Sequence, residues 1–325
     1  MHVSVLVPRG EVALSCVEGS FTFFSAVNDR LIAKGQEPLF EVDIVGLSQQ
    51  TSVLSGRFQV HPDRLLEEVN STDIVIIPAV NGDKAAMVDQ NRDLISWIAR
   101  QYHQGAEVVS LCVGAFLLAE TGLLDGTACT THWSAAEEFQ NKYANIEMVS
   151  TEIITERNRV YTSGGALSFW NLLLHIALKY TDRETAIYIS KFFEIDFGRN
   201  SQAVFVVFGP QKKHSDETVR RAQLIIERDV ERRIQVATVG SELGIGERSL
   251  QRRFKNATGE TMASYILRAK IEYAKRLIEI GGKTILETMH LCGYEYPRAF
   301  RKAFMSITGL TPTEYKTAFT KKKMA

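Results

Sequence analysis

The sequence predicts two domains of different class: a doubly wound, mostly parallel α/β sheet, followed by an all-α domain built around two helix-turn-helix units. Three observations predict it. Over residues 1–195 short apolar runs alternate with helix-period patterns, as a parallel sheet with crossover helices requires. From about residue 236 onward the chain aligns with itself at a shift of 50 residues. The charge is also divided: the 325 residues sum to zero, yet residues 1–210 hold 15 Lys and Arg against 25 Asp and Glu, and residues 211–325 hold 23 against 13. A net −10 beside a net +10 points to a polyanionic partner for the basic part.

The chain opens on Met1-His2-Val3-Ser4-Val5-Leu6-Val7-Pro8, which lacks a basic start and reads as a buried first strand, not as a signal peptide. Strands are expected at 3–7, 42–46, 73–78 and 107–111, with helices at 21–34, 64–69 and 90–104. No run of about 18 apolar residues exists, so no membrane span is expected. Cys16, Cys112, Cys129 and Cys292 show no C-x-x-C spacing. Neither a disulfide framework nor a structural zinc site is expected, no other metal or cofactor is called for, and a cytoplasmic location fits. After the fourth strand, Ser110-Leu111-Cys112-Val113-Gly114-Ala115-Phe116 runs directly into an apolar helix. A residue held at such a strand-to-helix elbow is presented above the sheet. Backbone amides and the helix dipole are expected to lower the pKa of a thiol placed there.

Residues 196–214 mix Gly, Pro and polar side chains and read as a linker. Its stretch 203–208 (AVFVVF) is unusually apolar and is expected to dock on the preceding domain, a dimer contact being the alternative. Beyond it the repeat has a plain physical plan. A helix at Val236–Leu243 ends at Gly244, which accommodates the left-handed turn, and a second helix runs over 247–257. Leu250, Phe254 and Ala257 fall on one face of it, leaving Arg248, Gln251, Arg252, Arg253 and Lys255 outward. In the second copy a helix at 284–291 ends by Gly293, and the next turns Phe300, Phe304 and Ile307 inward and Arg298, Arg301 and Lys302 outward. Leu250 aligns with Phe300, Phe254 with Phe304, Thr258-Gly259 with Thr308-Gly309, and Tyr265 with Tyr315. A helix over 264–280, carrying Ile266, Ile271, Ala274, Leu277 and Ile278, joins the copies.

DNA needs such residues. The major groove admits one helix, Arg or Lys bonds guanine O6 and N7, and Gln bonds adenine N6 and N7. Two units in one chain suit successive major grooves roughly 34 Å apart. A cationic helix face is more often merely solvated; the duplication, the paired glycine turns and the divided charge favour DNA. The terminal Lys321-Lys322-Lys323 is expected to be a frayed tail adding phosphate attraction.

On these residues, 215–320 resembles the DNA-binding domain of the AraC/XylS family. The runs LGIGERSLQRRFKNATG and CGYEYPRAFRKAFMSITGLTPTEYK carry the resemblance, the second with Gly309-x-Thr311-Pro312-x-x-Tyr315. The family's base-reading positions correspond to Arg248, Gln251 and Arg252 and to Arg298, Arg301 and Lys302; Pro297 stands where the family usually has a polar residue. Residues 1–195 resemble a class I glutamine-amidotransferase-like (ThiJ/PfpI) domain, flavodoxin-like in fold, through Cys112, GAFLLAETGLLDG, Thr131-His132-Trp133 and Tyr161-Thr162-Ser163-Gly164-Gly165. That resemblance implies a site at Cys112 with His132 beside it and Glu18, from the first strand–helix loop, against the thiol. Val113 replaces the histidine of the PfpI-type hydrolases and Ser110 the glycine common in amidotransferase elbows, which favours ligand contact over turnover. The ligand pocket is expected at the carboxyl ends of the strands, walled by the loops holding Glu18, 79–83, Cys112 and His132.

Together the resemblances imply a sequence-specific transcription regulator, expected to activate, that binds double-stranded promoter DNA. They also imply a small-metabolite effector, such as an amino acid or a quaternary amine, RNA polymerase as a partner, and a homodimer. The alternatives are a cysteine-dependent hydrolase or hydratase with a DNA-binding appendage, a nonspecific nucleic-acid binder, and a redox sensor at Cys112.

Overall fold

Val3, Val5, Leu6 and Val7 are fully buried, because the strand they form, β1 (His2–Val7), lies in the middle of a sheet. In the computed structural model, which describes residues 1–209, 212 and 214–320, the chain forms two units, Met1–Gln202 and Ala203–Ala325. The first unit's main sheet adds β2 (Glu41–Gly46), β3 (Arg64–Leu65), β4 (Ile74–Ile77), β5 (Glu107–Ser110), β6 (Ile154–Arg157) and β7 (Val160–Ser163). Its order is β6-β7-β5-β4-β1-β2-β3, and every neighbouring pair is parallel except the hairpin β6–β7. The chain winds from β1 outward through β2 and β3, then returns to lay β4 and β5 on the other side of β1. This is the doubly wound, mostly parallel sheet that the alternating pattern predicts.

Seven helices accompany it: α1 (Leu14–Ala33), α2 (Lys84–Gln90), α3 (Arg92–His103), α4 (Ala115–Ala119), α5 (Ala136–Lys142), α6 (Ser168–Tyr180) and α7 (Arg183–Phe192). Two expectations are corrected. The helix expected at 64–69 is instead the edge strand β3 followed by a single 3-10 turn, Leu66–Glu68. Arg64 and Leu65 pair with Val45 and Gly46, and the Glu68 carboxylate accepts the Leu65 N–H at 2.6 Å. The first helix begins at Leu14, not near 21. Val12 and Ala13 are pinned by the short pair Glu11–Val12 with Val80–Asn81 and by the bond from Ala13 N–H to the Ala79 carbonyl, so the chain turns straight into the helix.

The second unit is helical: α8 (Glu217–Arg228), α9 (Val236–Leu243), α10 (Glu247–Thr258), α11 (Met262–Ile280), α12 (Ile285–Leu291), α13 (Pro297–Thr308) and α14 (Pro312–Phe319). It holds two small cores. Val219, Ile226, Leu250, Phe254 and Tyr265 fill one, while Ile278, Met289, Phe300, Phe304 and Tyr315 fill the other. Buried Phe side chains of this kind cost about 3–5 kcal/mol to truncate to Ala. The duplication extends to single hydrogen bonds. Thr258 and Thr308 each donate to the carbonyl four residues back, and the Tyr265 and Tyr315 hydroxyls each donate to a glutamate, Glu227 and Glu279. Gly244, Gly259 and Gly309 close their helices in the left-handed conformation. Pro297 takes the first helical position of α13, where its missing N–H costs nothing.

α11 supplies both cores and buries Lys270, Glu272 and Lys275. The Lys270 ammonium donates to the Arg232 and Cys292 carbonyls at 2.6 and 2.7 Å, stitching one half to the other. The apolar stretch 203–208 packs here, contrary to the expectation that it docks on the α/β domain. The Lys275 ammonium donates to the Val206 carbonyl, the Phe208 N–H donates to Glu272 Oε2 at 3.1 Å, and the Phe208 ring meets Tyr265 edge-on. Val204 joins the second core and Phe208 the first. The terminal lysines 321–323 lie outside the described residues.

Candidate ligand site and nucleic-acid interface

The sheet order makes the carboxyl ends of β1, β4 and β5 neighbours, so the segments leaving them converge. Cys112 sits where β5 turns into α4, with φ of +55°, a conformation disfavoured for a residue with a Cβ. Three contacts hold it there. Its N–H donates to Ser163 Oγ at 3.1 Å, its carbonyl accepts from Thr131 Oγ1 at 2.8 Å, and Gly114 lets the following turn press against β4. A Cβ at Gly114 would stand 2.7 Å from the Pro78 carbonyl oxygen and 2.9 Å from that of Ile77, so only glycine fits.

The elbow geometry is present, but the expected thiol chemistry is reversed. Burial pushes the Cys112 thiol up to about 12 instead of lowering it, with the nearby Cys16 thiol adding to the rise; Val113 and His132 backbone contacts and the Lys84 ammonium oppose it without prevailing. α4 has five residues, too few for a strong dipole. Cys112 as a whole is 7% exposed. His132 starts the 3-10 turn Trp133–Ala135, and its Nδ1 accepts the Ser134 N–H at 3.2 Å and lies 2.8 Å from the Ser134 hydroxyl. The neutral ring therefore carries its proton on Nε2, and burial holds its pKa below the usual histidine range. Among the described residues no hydrogen bond joins this ring to the Cys112 thiol.

Glu18 is not in a loop. It lies on the exposed side of α1 and accepts from the Thr22 hydroxyl at 2.7 Å; no hydrogen bond or ion pair among the described residues links it to Cys112. The early start of α1 places Cys16, buried and with its own pKa raised by burial, beside Cys112 instead. Two further residues escaped the sequence reading. Lys84, one position past the loop 79–83, donates to the Val80 carbonyl at 3.1 Å and stands 5.5 Å from the Phe116 ring centre, half-buried, with burial lowering its pKa and Glu138 and Cys112 opposing that. Gln202, inside the stretch read as linker, is 1% exposed. Its side-chain amide donates to the Thr131 and Ser150 carbonyls, both at 2.9 Å, and accepts the Gly165 N–H at 2.7 Å. It thereby braces the loops on either side of His132. Only the site's unusual glycine pair, Gly164-Gly165, hints at it in the sequence: a Cβ on Gly164 would meet the Gln202 amide at 2.8 Å.

In the helical unit, Arg248, Gln251 and Arg252 are exposed on α10, and Arg298, Arg301 and Lys302 are exposed on α13. Gln251 rests on Glu247 at 3.1 Å. Arg253 differs from its neighbours, because its guanidinium grips Asp216 through two bonds of 2.8 and 2.7 Å, while Asp216 also caps α8. That fork, with the capping amides, holds the Asp216 carboxyl below the usual aspartate range. Arg248, Gln251, Arg252 and Lys255 instead line an open groove with Asn256, Thr261 and Ala263.

The helix-turn-helix domain family matches residues 239–318, and the DJ-1/PfpI family matches residues 31–177. The HTH-type transcriptional regulator GbdR of Pseudomonas aeruginosa is 24% identical over 265 residues, spanning 80% of this chain and 70% of that one. CdhR, an HTH-type transcriptional regulator of the same organism, is 21% identical over 309 residues, spanning 90% of this chain and 86% of that one. The crystal structure of an AraC family transcriptional regulator from Pseudomonas putida matches with a TM-score of 0.50 and 12% identity, over 59% of this chain and 98% of that one, a likeness of fold. Fold, duplication and relatives define the class: the chain is a DNA-binding transcription regulator. More particularly, it joins a DJ-1/PfpI domain to a helix-turn-helix domain of the AraC type. No described helix is long and apolar enough to cross a membrane.

Proposed function

We propose that the chain is a sequence-specific activator whose DNA affinity answers to a small metabolite held at the carboxyl end of the parallel sheet. One observation carries the DNA half: two copies of the same helix–glycine–helix unit each present three exposed side chains of base-reading type, in a unit whose sequence carries a net excess of positive charge. The effector half rests on the convergence at Cys112. A neutral thiol, an Nε2–H on His132 and the Lys84 ammonium offer donors without an activated nucleophile, which suits holding a carboxylate such as that of an amino acid better than attacking a substrate. Turnover at Cys112 requires a thiolate and a base within reach, whereas burial disfavours the thiolate and no hydrogen bond among the described residues joins the His132 ring to it. A quaternary amine, a homodimer and contact with RNA polymerase remain part of the proposal through the resemblance to AraC-type regulators.

The experiment is selection of bound sequences from random double-stranded DNA by the full chain, with and without a panel of amino acids and quaternary amines. A motif of two half-sites about one helical turn apart, enriched more strongly with one compound, is the expected outcome. Uniform binding without enrichment overturns the sequence-specific reading, and enrichment indifferent to every compound overturns the effector reading.

A further inference from the structure

The two recognition helices, products of one duplication, differ where they enter. α10 begins Gly246-Glu247-Arg248-Ser249, and the aligned start of α13 is Tyr296-Pro297-Arg298-Ala299. In the second copy a small and an acidic residue are replaced by an aromatic ring and a proline. Tyr296 occupies the N-cap position, where Ser, Thr, Asp or Asn is favoured, and it makes no capping bond. In the same unit Asp216, Thr261, Thr284 and Thr311 all cap their helices. The ring is not there for the core, since Tyr296 is 70% exposed and absent from the cluster that buries Phe300 and Phe304. Its hydroxyl finds no partner among the described residues, whereas Tyr265, Tyr273 and Tyr315 each bond a glutamate. Pro297 and Ala299 are exposed beside it. The unit thus presents a small apolar surface at the leading end of a helix that is otherwise cationic through Arg298, Arg301 and Lys302.

The N-terminal residues of a recognition helix are those that approach base edges, and the C5-methyl of thymine is the apolar group that the major groove offers there. We propose that Tyr296, with Pro297, reads thymine methyl groups in the second half-site, so that the two copies recognise different bases by different chemistry: hydrogen bonds from α10, apolar contact together with Arg298 from α13. The inference rests on the sequence-specific DNA-binding reading above.

The test uses the selected DNA and the full chain. Thymines of the second half-site are replaced one at a time by uracil, which removes only the methyl group and leaves the pairing and hydrogen-bonding edges intact. Burying one methyl-sized group is worth about 0.8 kcal/mol, about fourfold in affinity. Wild type is expected to lose about fourfold at one or two of these positions, and Tyr296→Ala to bind thymine and uracil DNA alike. Because the ring is exposed and outside the core, the melting temperature of Tyr296→Ala is expected to match wild type, and Tyr296→Phe to keep the uracil penalty. Equal binding of thymine and uracil DNA by wild type overturns the proposal, as does a full uracil penalty surviving in Tyr296→Ala. Selection that enriches a motif without thymine in the second half-site overturns it while leaving the DNA-binding reading intact. Selection that enriches nothing overturns both.

Discussion

Cys112 occupies the turn where related folds place a nucleophile, and what decides its chemistry is the exclusion of water. Removing solvent penalises the thiolate more than the nearby Lys84 and the backbone contacts favour it, so the group stays protonated. Cys129 and Cys292, with no elbow around them, are pushed to about 12 by the same cause. Burial thus acts on Cys112 in the same direction as on the cysteines outside the elbow. In timed alkylation read by mass spectrometry, Cys112 should be modified slowly at pH 8 compared with the same thiols in denaturant, and its rate should climb as the pH is raised. Rapid, selective labelling of Cys112 near neutrality would restore the catalytic and redox alternatives. The sequence makes the elbow legible through Cys112 and Gly114, but not its dielectric, which depends on how α1 packs. The two adjacent arginines of α10 give the complementary case. Arg252 is exposed toward the groove, while Arg253 is committed to Asp216. Arg252→Ala should cost about 1–3 kcal/mol on the selected site and relax preference at one base position, measured by titration of matched and singly altered DNA. Arg253→Ala should leave base preference alone and lower the melting temperature. A uniform loss across all sequences with Arg252→Ala would mean that it contacts phosphate.

Elements were legible where the period was strong and the ends carried their own chemistry. The helices of the two repeated units follow from capping residues such as Thr284 with Glu287 and Thr311 with Glu314, and from glycines that the turns require, whereas α8, which lies before the repeat, is not among the expected helices. The start of α1 was not legible. Ala13 offers no capping side chain, and the helix begins there because Ala79, on a strand loop far along the chain, accepts its N–H. That one tertiary bond exchanges Glu18 for Cys16 beside the elbow. The strand at 64–65, where the sequence predicts a helix, has the same origin, since Arg64-Leu65 is a strand only because the edge of β2 is open to it. Gln202 is the clearest case of an anchor disguised as linker. Its amide answers buried carbonyls and a buried N–H of the His132 and Gly165 loops, so Gln202→Ala should leave them unpaired. The expected cost is about 1–3 kcal/mol in stability of the α/β unit, read by chemical denaturation. Gln202→Glu should lose comparably, because a carboxylate cannot donate to the Thr131 carbonyl. A neutral Gln202→Ala would show that water replaces the side chain without loss.

At the scale of the whole molecule, the division into an acidic α/β part and a basic helical part was legible from charge and repeat alone, because the duplication and the charge are properties of sequence and need no packing to be seen. The path of the chain from one unit to the other was not. Polar composition made 196–214 look slack, yet Gln202 is fastened in the first unit and Val204, Val206 and Phe208 are fastened in the second. If the metabolite acts through this joint, inserting a flexible Gly-Ser segment of about ten residues between Gln202 and Ala203 should preserve DNA binding and abolish the effect of the compound, measured by titration with and without it. An undiminished response would place the coupling elsewhere.

That joint also bears on how such a gene can be recombined. Each unit keeps its own fastenings on its own side of the peptide bond between Gln202 and Ala203, so a cut there leaves the Gln202 bonds with the first and the Val206 and Phe208 bonds with the second. Grafting a foreign ligand-binding domain onto this DNA reader would therefore turn on the residue at which the two are joined. A fusion that keeps Ala203 as its first residue inherits the strap along α11, whereas one trimmed to the apparent start of the helices near 215 discards the handle by which the reader is held.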